Sequence, residues 1–274
     1  MSIRLLAIDL DGTLVNQQLE MDPRDVAAVK AAIAARVSVV LATGRMFKSS
    51  MRYAEPLGLT GAIINYQGAM VRDITSGEIL YRCELPVEVQ QRVLALSERK
   101  DWHANVYVDE VVYTARQRPE ADLYARVAMV PYEVVGPLSK WVHGPATKMV
   151  LVTLDPQELP ERMQELSAYL GDAGRVTRSL DWFTEVVNPQ VSKAAALAMV
   201  AQRLKVDRSE VCAIGDNLND EDMVSWAGLG VAMGNAPEAL KSVAAYVTSP
   251  IGQAGVANVI ERFVIGSERP AVRA

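Results

Sequence analysis

Short apolar runs that alternate with helical patterns restrict the fold of this chain more than any other feature. The runs are LLAI (5–8), VSVVLA (37–42), AIIN (62–65), VCAI (211–214), GVAM (230–233) and YVT (246–248). Between the first two, Asp22 and Pro23 suit the N-cap and the first position of a helix. Continuous apolar strands that alternate with helices are typical of a parallel sheet covered on both faces. We therefore predict an α/β core.

The middle of the chain has a different pattern. Residues 68–81 are predicted to form a hairpin. Beyond it we predict helices at 86–100, 119–128 and 156–170, and strands at 104–108, 111–115, 147–154, 175–180 and 183–187. Neighbouring strands joined by short turns indicate an antiparallel sheet with helices on one side. We predict an inserted α+β domain at 84–187, core segments at 1–83 and 188–274, and a frayed tail at 266–274.

Composition narrows the classes of function. The 274 residues carry a net charge of −5, which argues against nucleic acid or an anionic membrane as the partner. No apolar run has the length of a signal-peptide core or of a membrane span. Cys83 and Cys212 form no CxxC motif, and His103 and His143 lack the spacing of a zinc site. We expect a cytoplasmic protein without disulfide or zinc chemistry.

Two aspartates stand close together where the first apolar run ends, in the stretch AIDLDGTL (7–14). In an extended strand end, Asp9 and Asp11 would point to the same side, and Gly12 would permit a sharp exit from the strand. The alternative is an ordinary charged loop in which an aspartate caps a helix. Two unpaired carboxylates so close would repel each other, and a hard dication such as Mg²⁺ would relieve that repulsion. We favour a functional pair.

Two further stretches also carry polar residues at the end of a strand or the start of a helix, but their patterns are less specific than the aspartate pair. Thr43 and Gly44 come just after a strand, where a hydroxyl and exposed amides suit a phosphate, although Thr-Gly is also an ordinary turn. Ser192 is a candidate N-cap. Lys193, in the first turn, is unfavourable for the helix dipole, which hints at another purpose, although a solvated lysine is the commoner explanation.

The stretch IGDNLNDEDM (214–223) is the second strong signal. It places acidic or amide side chains directly after a strand, at positions 216, 217, 219, 220 and 222. Asn219 is a candidate cap of the next helix, with Asp222 at the N3 position. Capping does not explain Asp216 or Asp220. In an open α/β sheet, ligands bind beyond the carboxyl ends of the strands, and all four stretches map to that edge.

Together these residues resemble the haloacid dehalogenase-like phosphatase superfamily. The matching motifs are DLDGT (9–13), Thr43, Lys193 and GDNLND (215–220), and the likeness continues through GVAMGNA (230–236) and VANVI (256–260). The position of the insertion resembles the Cof-type branch. This resemblance implies a Rossmann-like parallel-sheet core, an inserted cap domain, and hydrolysis of sugar phosphates or related small metabolites.

The same resemblance implies a role for each motif residue. Asp9 would attack phosphorus and become an aspartyl phosphate, and Asp11 would protonate the leaving oxygen and later activate water. Thr43, Gly44 and Lys193 would bind the phosphoryl oxygens. The candidates for the Mg²⁺ site are Asp9, the Leu10 carbonyl, Asp11, Asp216, Asn217, Asn219 and Asp220.

The chain departs from the family pattern at three positions. Ala194 stands where glycine usually follows the lysine, Gln67 precedes Gly68 where relatives carry Asn-Gly, and Gln253 begins a stretch that replaces an acidic residue followed by Gly-Val. None of these is the nucleophile, the acid/base or a metal ligand, but they place inherited substrate contacts in question.

Several alternatives stay open from the sequence. A sugar-phosphate phosphomutase, a phospho-accepting regulatory domain and a non-catalytic sugar-phosphate binder are the competing functions. The substrate and the oligomeric state are not indicated. Aromatic residues of the insertion are candidates for substrate recognition, but we favour a place in the core for them: Trp102, Tyr107, Tyr113 and Trp182.

Overall fold

The computed structural model of the chain describes residues 2–141 and 144–266. Outside the described residues lie His143, which we considered as a zinc ligand, and residues 267–274, which belong to the predicted frayed tail. The chain divides into two compact units. The first comprises the residues up to Gly44, Ser50–Tyr81 and the chain from Ser192 onward, and the second comprises Arg45–Ser49 and Arg82–Val191.

The strands, in chain order, are β1 (Leu5–Ile8), β2 (Ser38–Leu41), β3 (Ala62–Asn65), β4 (Met70–Asp73), β5 (Ile79–Arg82), β6 (His103–Val108), β7 (Val111–Thr114), β8 (Tyr132–Val134), β9 (Lys148–Val152), β10 (Arg175–Leu180), β11 (Phe183–Val187), β12 (Val211–Gly215), β13 (Leu229–Ala232) and β14 (Tyr246–Val247). The α-helices are α1 (Pro23–Ala34), α2 (Phe47–Leu57), α3 (Val87–Lys100), α4 (Pro119–Ala128), α5 (Leu138–Trp141), α6 (Leu159–Leu170), α7 (Lys193–Leu204), α8 (Glu221–Trp226), α9 (Glu238–Val243) and α10 (Gly255–Val259).

A parallel sheet forms the centre of the first unit. Its strand order is β14-β13-β12-β1-β2, and all four neighbouring pairs are parallel. Leu5 of β1 packs in one hydrophobic cluster with Leu197 and Val200 of α7. Leu6 and Ile8, which point to the opposite face of the strand, are equally buried. The predicted α/β fold with a parallel-sheet core is therefore confirmed.

The apolar run at 62–65 departs from the predicted arrangement. We expected it among the parallel strands, but β3 lies in a three-stranded sheet of order β3-β4-β5 and pairs antiparallel with β4. A single parallel bridge, between Ala42 and Ile64, connects β3 to the end of β2. The predicted hairpin at 68–81 is present as β4 and β5, and β3 joins it because the chain turns back immediately after Asn65.

A mostly antiparallel sheet forms the second unit, in the order β10-β11-β9-β6-β7-β8, with only β7 and β8 parallel to each other. Val106 and Met149 pack with Val93 of α3 and Leu166 of α6. We predicted helices on only one side of this sheet, and that prediction is incomplete. The hydroxyl of Tyr107, on the face opposite Val106, hydrogen-bonds to a tyrosine hydroxyl of α4.

Elements missed in this unit are β8, whose three residues are half-buried or exposed, and α5, which is a single turn. Both are too short to show a period.

The four aromatic candidates lie in different surroundings. Tyr107 is buried, Trp102 and Tyr113 pack partly buried against the hydrophobic cluster of α3 and α6, and Trp182 is half-buried.

Local signals predicted two helix starts correctly. The Asp22 carboxylate accepts a hydrogen bond from the Arg24 amide, with Pro23 at the first position of α1. The Ser192 hydroxyl accepts one from the Ala195 amide at the start of α7.

Cys83 and Cys212 are both free and buried. Within the described residues, every helix is too short or too polar to cross a membrane.

One buried carboxylate of α1 makes stability depend on pH. Asp25 is fully buried, and its Oδ1 accepts a hydrogen bond from the Ala257 amide at 2.7 Å, while Oδ2 has no partner among the described residues. Burial raises the pKa of Asp25 from 3.8 to about 6. The folded protein therefore holds this proton more tightly than the unfolded chain, so its stabilisation is present at low pH and is lost as pH rises through about 6.

We expect Asp25→Asn to remove this pH dependence, because the amide keeps an oxygen for the Ala257 amide and cannot ionise. From about pH 4 to about pH 8, the free energy of unfolding of the variant relative to wild type should rise by about 2 kcal/mol. Urea denaturation at both pH values measures it. A constant difference between the two proteins would contradict the assignment.

Candidate active site

Three carboxylates meet at the carboxyl ends of adjacent strands in the first unit. Asp9 follows β1 directly, Asp216 follows β12 directly, and Asp220 lies one turn further along. Each offers one oxygen, and these oxygens lie within 4.8 Å of one another. Because β1 and β12 are neighbours in the parallel sheet, their ends lie side by side and bring residues more than 200 positions apart into one group.

A lysine from α7 lies among these carboxylates. The ammonium of Lys193 is 2.6 Å from Asp9 Oδ1 and 2.6 Å from Asp220 Oδ1, and it donates to the Ala42 carbonyl at 2.7 Å. Only 1% of the lysine side chain is exposed. This contact explains why a lysine stands at the start of a helix, where the dipole disfavours it. Its three donors are satisfied by groups after β1, β2 and β12.

The electrostatics of the group are unbalanced. Burial raises the pKa of Asp9 well above its ordinary value, and repulsion from Asp220 adds to this, while Lys193 works against it. Burial and Asp220 likewise raise the pKa of Asp216 to about 6, against a hydrogen bond from Thr13. Burial opposes the charge of Lys193, but the two aspartates outweigh it and raise its pKa. Three carboxylates against one ammonium leave an excess of two negative charges when all are ionised.

This donor set fits a hard divalent cation. Mg²⁺ prefers oxygen ligands, and it would offset the two excess charges. The oxygens of Asp220 are already in use, since Oδ1 binds Lys193 and Oδ2 accepts from the amides of Asp216 at 3.0 Å and Asn217 at 3.1 Å. Asp9 and Asp216 are therefore the carboxylates best suited to bind the cation, with Asp220 orienting the loop.

The loop after β1 is shaped by contact with Asp216. Gly12 has a φ of +91°, and a Cβ there would lie 2.2 Å from Asp216 Oδ2. The Thr13 hydroxyl donates to Asp216 Oδ1 at 2.9 Å, and the Asn235 amide donates to the Gly12 carbonyl at 3.0 Å. We assigned no role to Thr13 or Asn235 from the sequence, although both belong to the motifs DLDGT and GVAMGNA.

Asp11 and Leu10 differ from their sequence-based expectations. Strand β1 ends at Ile8, so alternation does not extend to Asp11, which is exposed and lies outside the group of three carboxylates. The Leu10 carbonyl accepts hydrogen bonds from the amides of Leu14 at 3.0 Å and Val15 at 2.8 Å. Because these bonds use both of its lone pairs, we leave the Leu10 carbonyl out of the proposed metal site.

Thr43 and Gly44 follow the Ala42 carbonyl that receives the lysine. Thr43 is fully buried, and its amide donates to the Ile64 carbonyl at 2.9 Å. Its carbonyl accepts from the Gln67 amide at 3.1 Å. The structure thus brings this stretch to the same sheet edge as the carboxylates through Ala42, and it adds a neighbour from the turn after β3.

The amide residues of the second acidic stretch make hydrogen bonds within the site loops. Asn217 is exposed and caps a short 3-10 turn, Leu218–Asp220, by accepting from the Leu218 amide. We expected Asn219 to cap α8, but it lies within that 3-10 turn, and Asp220 is the residue before the helix. The Asn219 side chain donates instead to Gln67 Oε1 at 3.1 Å. Asp222 also reaches outside its own helix, since its Oδ2 accepts from the Ser192 hydroxyl at 2.5 Å.

Comparison with known proteins identifies the family. The model of haloacid dehalogenase-like hydrolases matches residues 6–260. The chain belongs to this family. The chain is 30% identical to the 5-amino-6-(5-phospho-D-ribitylamino)uracil phosphatase YcsE of Bacillus subtilis, over 96% of both chains. It is 28% identical to the phosphatase YwpJ of the same organism, over 96% of this chain and 100% of that protein.

A solved structure agrees with this assignment. Protein TM0651 of Thermotoga maritima has a TM-score of 0.86 and 32% identity, covering 97% of this chain and 98% of that one. The predicted membership in the haloacid dehalogenase-like superfamily is confirmed, and so is the prediction of a hydrolase. Two departures from the family pattern now have a location. Ala194 donates its amide to Asp222 Oδ2 at 3.3 Å, and Gln67 contacts Gly44 and Asn219.

Removing the buried ammonium tests the importance of the lysine for the fold of this hydrolase. Lys193→Met would leave Asp9 and Asp220 buried without their cation, and breaking a buried pair in this way costs about 3–5 kcal/mol. We expect that loss in the free energy of unfolding, measured by urea denaturation in EDTA. Lys241→Met, which removes an exposed pair with Glu238, is the control and should cost less than about 1 kcal/mol. Equal losses would show that Lys193 contributes no more than a surface charge.

Proposed function

We propose that this hydrolase is a Mg²⁺-dependent phosphatase of small phosphorylated metabolites, acting in the cytoplasm through an aspartyl-phosphate intermediate on Asp9. The observation that carries the proposal is the position of Asp9, which is buried at a strand end and held by Lys193 beside Asp216. A buried, oriented carboxylate next to a fixed positive charge suits nucleophilic attack on a phosphate ester.

The proposed reaction has two steps. In the first, an oxygen of Asp9 forms a bond to phosphorus, the bond from phosphorus to the ester oxygen breaks, and Asp11 gives its proton to that oxygen. In the second, Asp11 takes a proton from water, the water oxygen attacks phosphorus, and the acyl-phosphate bond breaks to release inorganic phosphate and Asp9. Bound Mg²⁺ would offset the repulsion between the carboxylate and the phosphate dianion.

Other side chains of the first unit position the reacting groups. Lys193 orients Asp9 through Oδ1 and lowers the cost of bringing an anion beside it. Thr13 orients Asp216, and Asp220 holds the backbone of the Asp216 loop through two amide hydrogen bonds. Of the three residues expected to bind the phosphoryl oxygens, Thr43 and Gly44 at the end of β2 remain in the proposal, whereas the three donors of Lys193 already have acceptors. In phosphoryl transfer most of the catalytic effect comes from such positioning and electrostatics.

The substrate class rests on the relatives and on charge. YcsE is named for a phosphorylated ribityl compound and YwpJ as a phosphatase. The net charge of −5 argues against nucleic acid as the substrate. We therefore propose sugar phosphates or related phosphomonoesters as substrates, and we retain residues 84–187 as the proposed inserted cap domain.

The metal requirement can be tested at Asp216. Phosphate release from small esters should stop in EDTA and return when Mg²⁺ is added. Asp216→Asn should shift the Mg²⁺ titration midpoint upward by roughly tenfold or more, because one charged ligand is lost. Asp207→Asn, an exposed aspartate of the same unit, is the control and should leave the midpoint unchanged. Full activity after exhaustive EDTA treatment would refute the requirement for a metal.

The leaving group distinguishes the proposed roles of the two aspartates. A sugar alkoxide needs a proton to leave, whereas 4-nitrophenolate does not. Since general acid catalysis contributes roughly 10²–10⁴-fold, Asp11→Asn should slow the first step far more for a sugar phosphate than for 4-nitrophenyl phosphate. The second step should slow for both substrates. A rapid-mixing experiment should therefore still show a burst of nitrophenolate, whereas Asp9→Asn should show none. Equal first-step losses would exclude Asp11 as the acid.

A further inference from the structure

The turn after β3 has an unfavourable backbone. Tyr66 and Gln67 have φ values of +53° and +59°, and neither is glycine. Side chains with a Cβ rarely adopt this left-handed region, and such conformations persist only where the surroundings enforce them. Both residues are buried, at 0% and 7% exposure. Two successive strained residues at the sheet edge that carries the carboxylates suggest a function for the turn.

Two contacts hold the turn in this conformation. The Gln67 amide donates to the Thr43 carbonyl at 3.1 Å. Gly68, with a φ of +100°, lies so close to the start of α7 that a Cβ would be 2.3 Å from the Ser192 carbonyl oxygen. The turn is therefore held between the proposed phosphoryl-binding stretch and the residue preceding Lys193.

The side chain of Gln67 lies between two other residues of the site, Asn219 and Gly44. Its Oε1 accepts a hydrogen bond from Asn219 at 3.1 Å. Its Nε2 lies over Gly44, 2.4 Å from where a Cβ of that residue would be. Nε2 makes no hydrogen bond to any described residue and is not fully shielded from solvent. A largely buried side chain therefore holds two N–H donors in place where an incoming ligand can reach them. A donor that is held in place and not used within the protein is available to bind an anionic ligand.

We propose that Gln67 is a phosphoryl-binding residue, whose Nε2 donates to an oxygen of the phosphate held beside Gly44. The inference rests on the proposed phosphatase function, since that function brings a phosphate to this edge. A neutral amide suits the position because it contributes donors without a further charge near Lys193 and the carboxylates. The strained turn is required because it directs Nε2 toward Gly44 while Oε1 remains on Asn219.

Two variants separate the donor from a structural role. Gln67→Glu keeps an oxygen for Asn219 and replaces the donor with an acceptor. Gln67→Met removes both polar atoms without adding charge. Gln202→Glu, an exposed glutamine of α7, controls for the added negative charge. The probe is inorganic phosphate, whose dissociation constant is measured by calorimetry on the full chain with saturating Mg²⁺.

We expect both Gln67 variants to bind inorganic phosphate roughly tenfold or more weakly, the usual effect of losing a hydrogen bond to a charged group, and Gln202→Glu to bind it like wild type. The Mg²⁺ titration midpoint should stay unchanged in both, because a displaced Asn219 loop would carry Asp216 and Asp220 with it and shift that midpoint. Weakening in Gln67→Met together with an unchanged Mg²⁺ midpoint supports the donor role.

Three outcomes would overturn the inference. Unchanged phosphate affinity in Gln67→Met would mean that the donor is not used, even if Gln67→Glu were weakened by charge repulsion. Unchanged affinity in Gln67→Glu would leave only the contact with Asn219. A shifted Mg²⁺ midpoint in Gln67→Met would assign the residue a structural role. In each case a wild-type protein that hydrolyses phosphate esters would leave the proposed function standing, whereas a wild type that neither binds nor hydrolyses phosphate would refute both.

Discussion

The ammonium of Lys193 is the interaction on which the site depends. It joins Asp9 after β1, Asp220 after β12 and the Ala42 carbonyl at the end of β2, and it is almost fully buried. Taking a lysine out of water costs several kcal/mol, which only good geometry and full hydrogen bonding can offset. Here all three ammonium protons have acceptors. The buried charge therefore fixes the relative positions of three strand ends, which a hydrophobic residue could not do.

The surrounding loops follow from this constraint. Once Asp220 is held by Lys193 through Oδ1, its Oδ2 is directed at the amides that follow β12 and fixes the backbone of Asp216. Asp216 in turn packs so closely against Gly12 that no side chain fits there. Gly12 lies in the loop that follows β1, so this loop is also held in place. One lysine thus organises both acidic stretches, yet the carboxylates still exceed the ammonium by two charges. A site that is rigid but electrostatically incomplete suits a cation-dependent reaction.

The sequence predicted those features that depend on residues close together in the chain and on the positions where strands end. The parallel sheet, the N-caps Asp22 and Ser192, and the acidic stretches after β1 and β12 follow from short patterns. It did not predict contacts between distant side chains. The pairing of Asn219 with Gln67 spans 152 positions, and that of Ser192 with Asp222 spans 30. Their partners depend on how loops meet at the sheet edge, which periodicity does not encode. The two hydrogen bonds to the Leu10 carbonyl were not predicted either, because the tight turn that forms them leaves no mark in composition.

The two aspartates of DLDGT end in different surroundings although only one residue separates them. Asp9 is 4% exposed and bound to Lys193, whereas Asp11 is exposed. The difference arises just beyond the end of β1 at Ile8. The Asp9 amide still donates to the Ile214 carbonyl of β12, whereas the chain turns from Leu10 onward and carries Asp11 away from the sheet. A nucleophile must be fixed, and shielding from water strengthens its interactions. A group that gives a proton to the leaving oxygen and then takes one from water must instead reach solvent. A strand that ends one residue before the first aspartate provides both environments, and this division agrees with the roles proposed for Asp9 and Asp11.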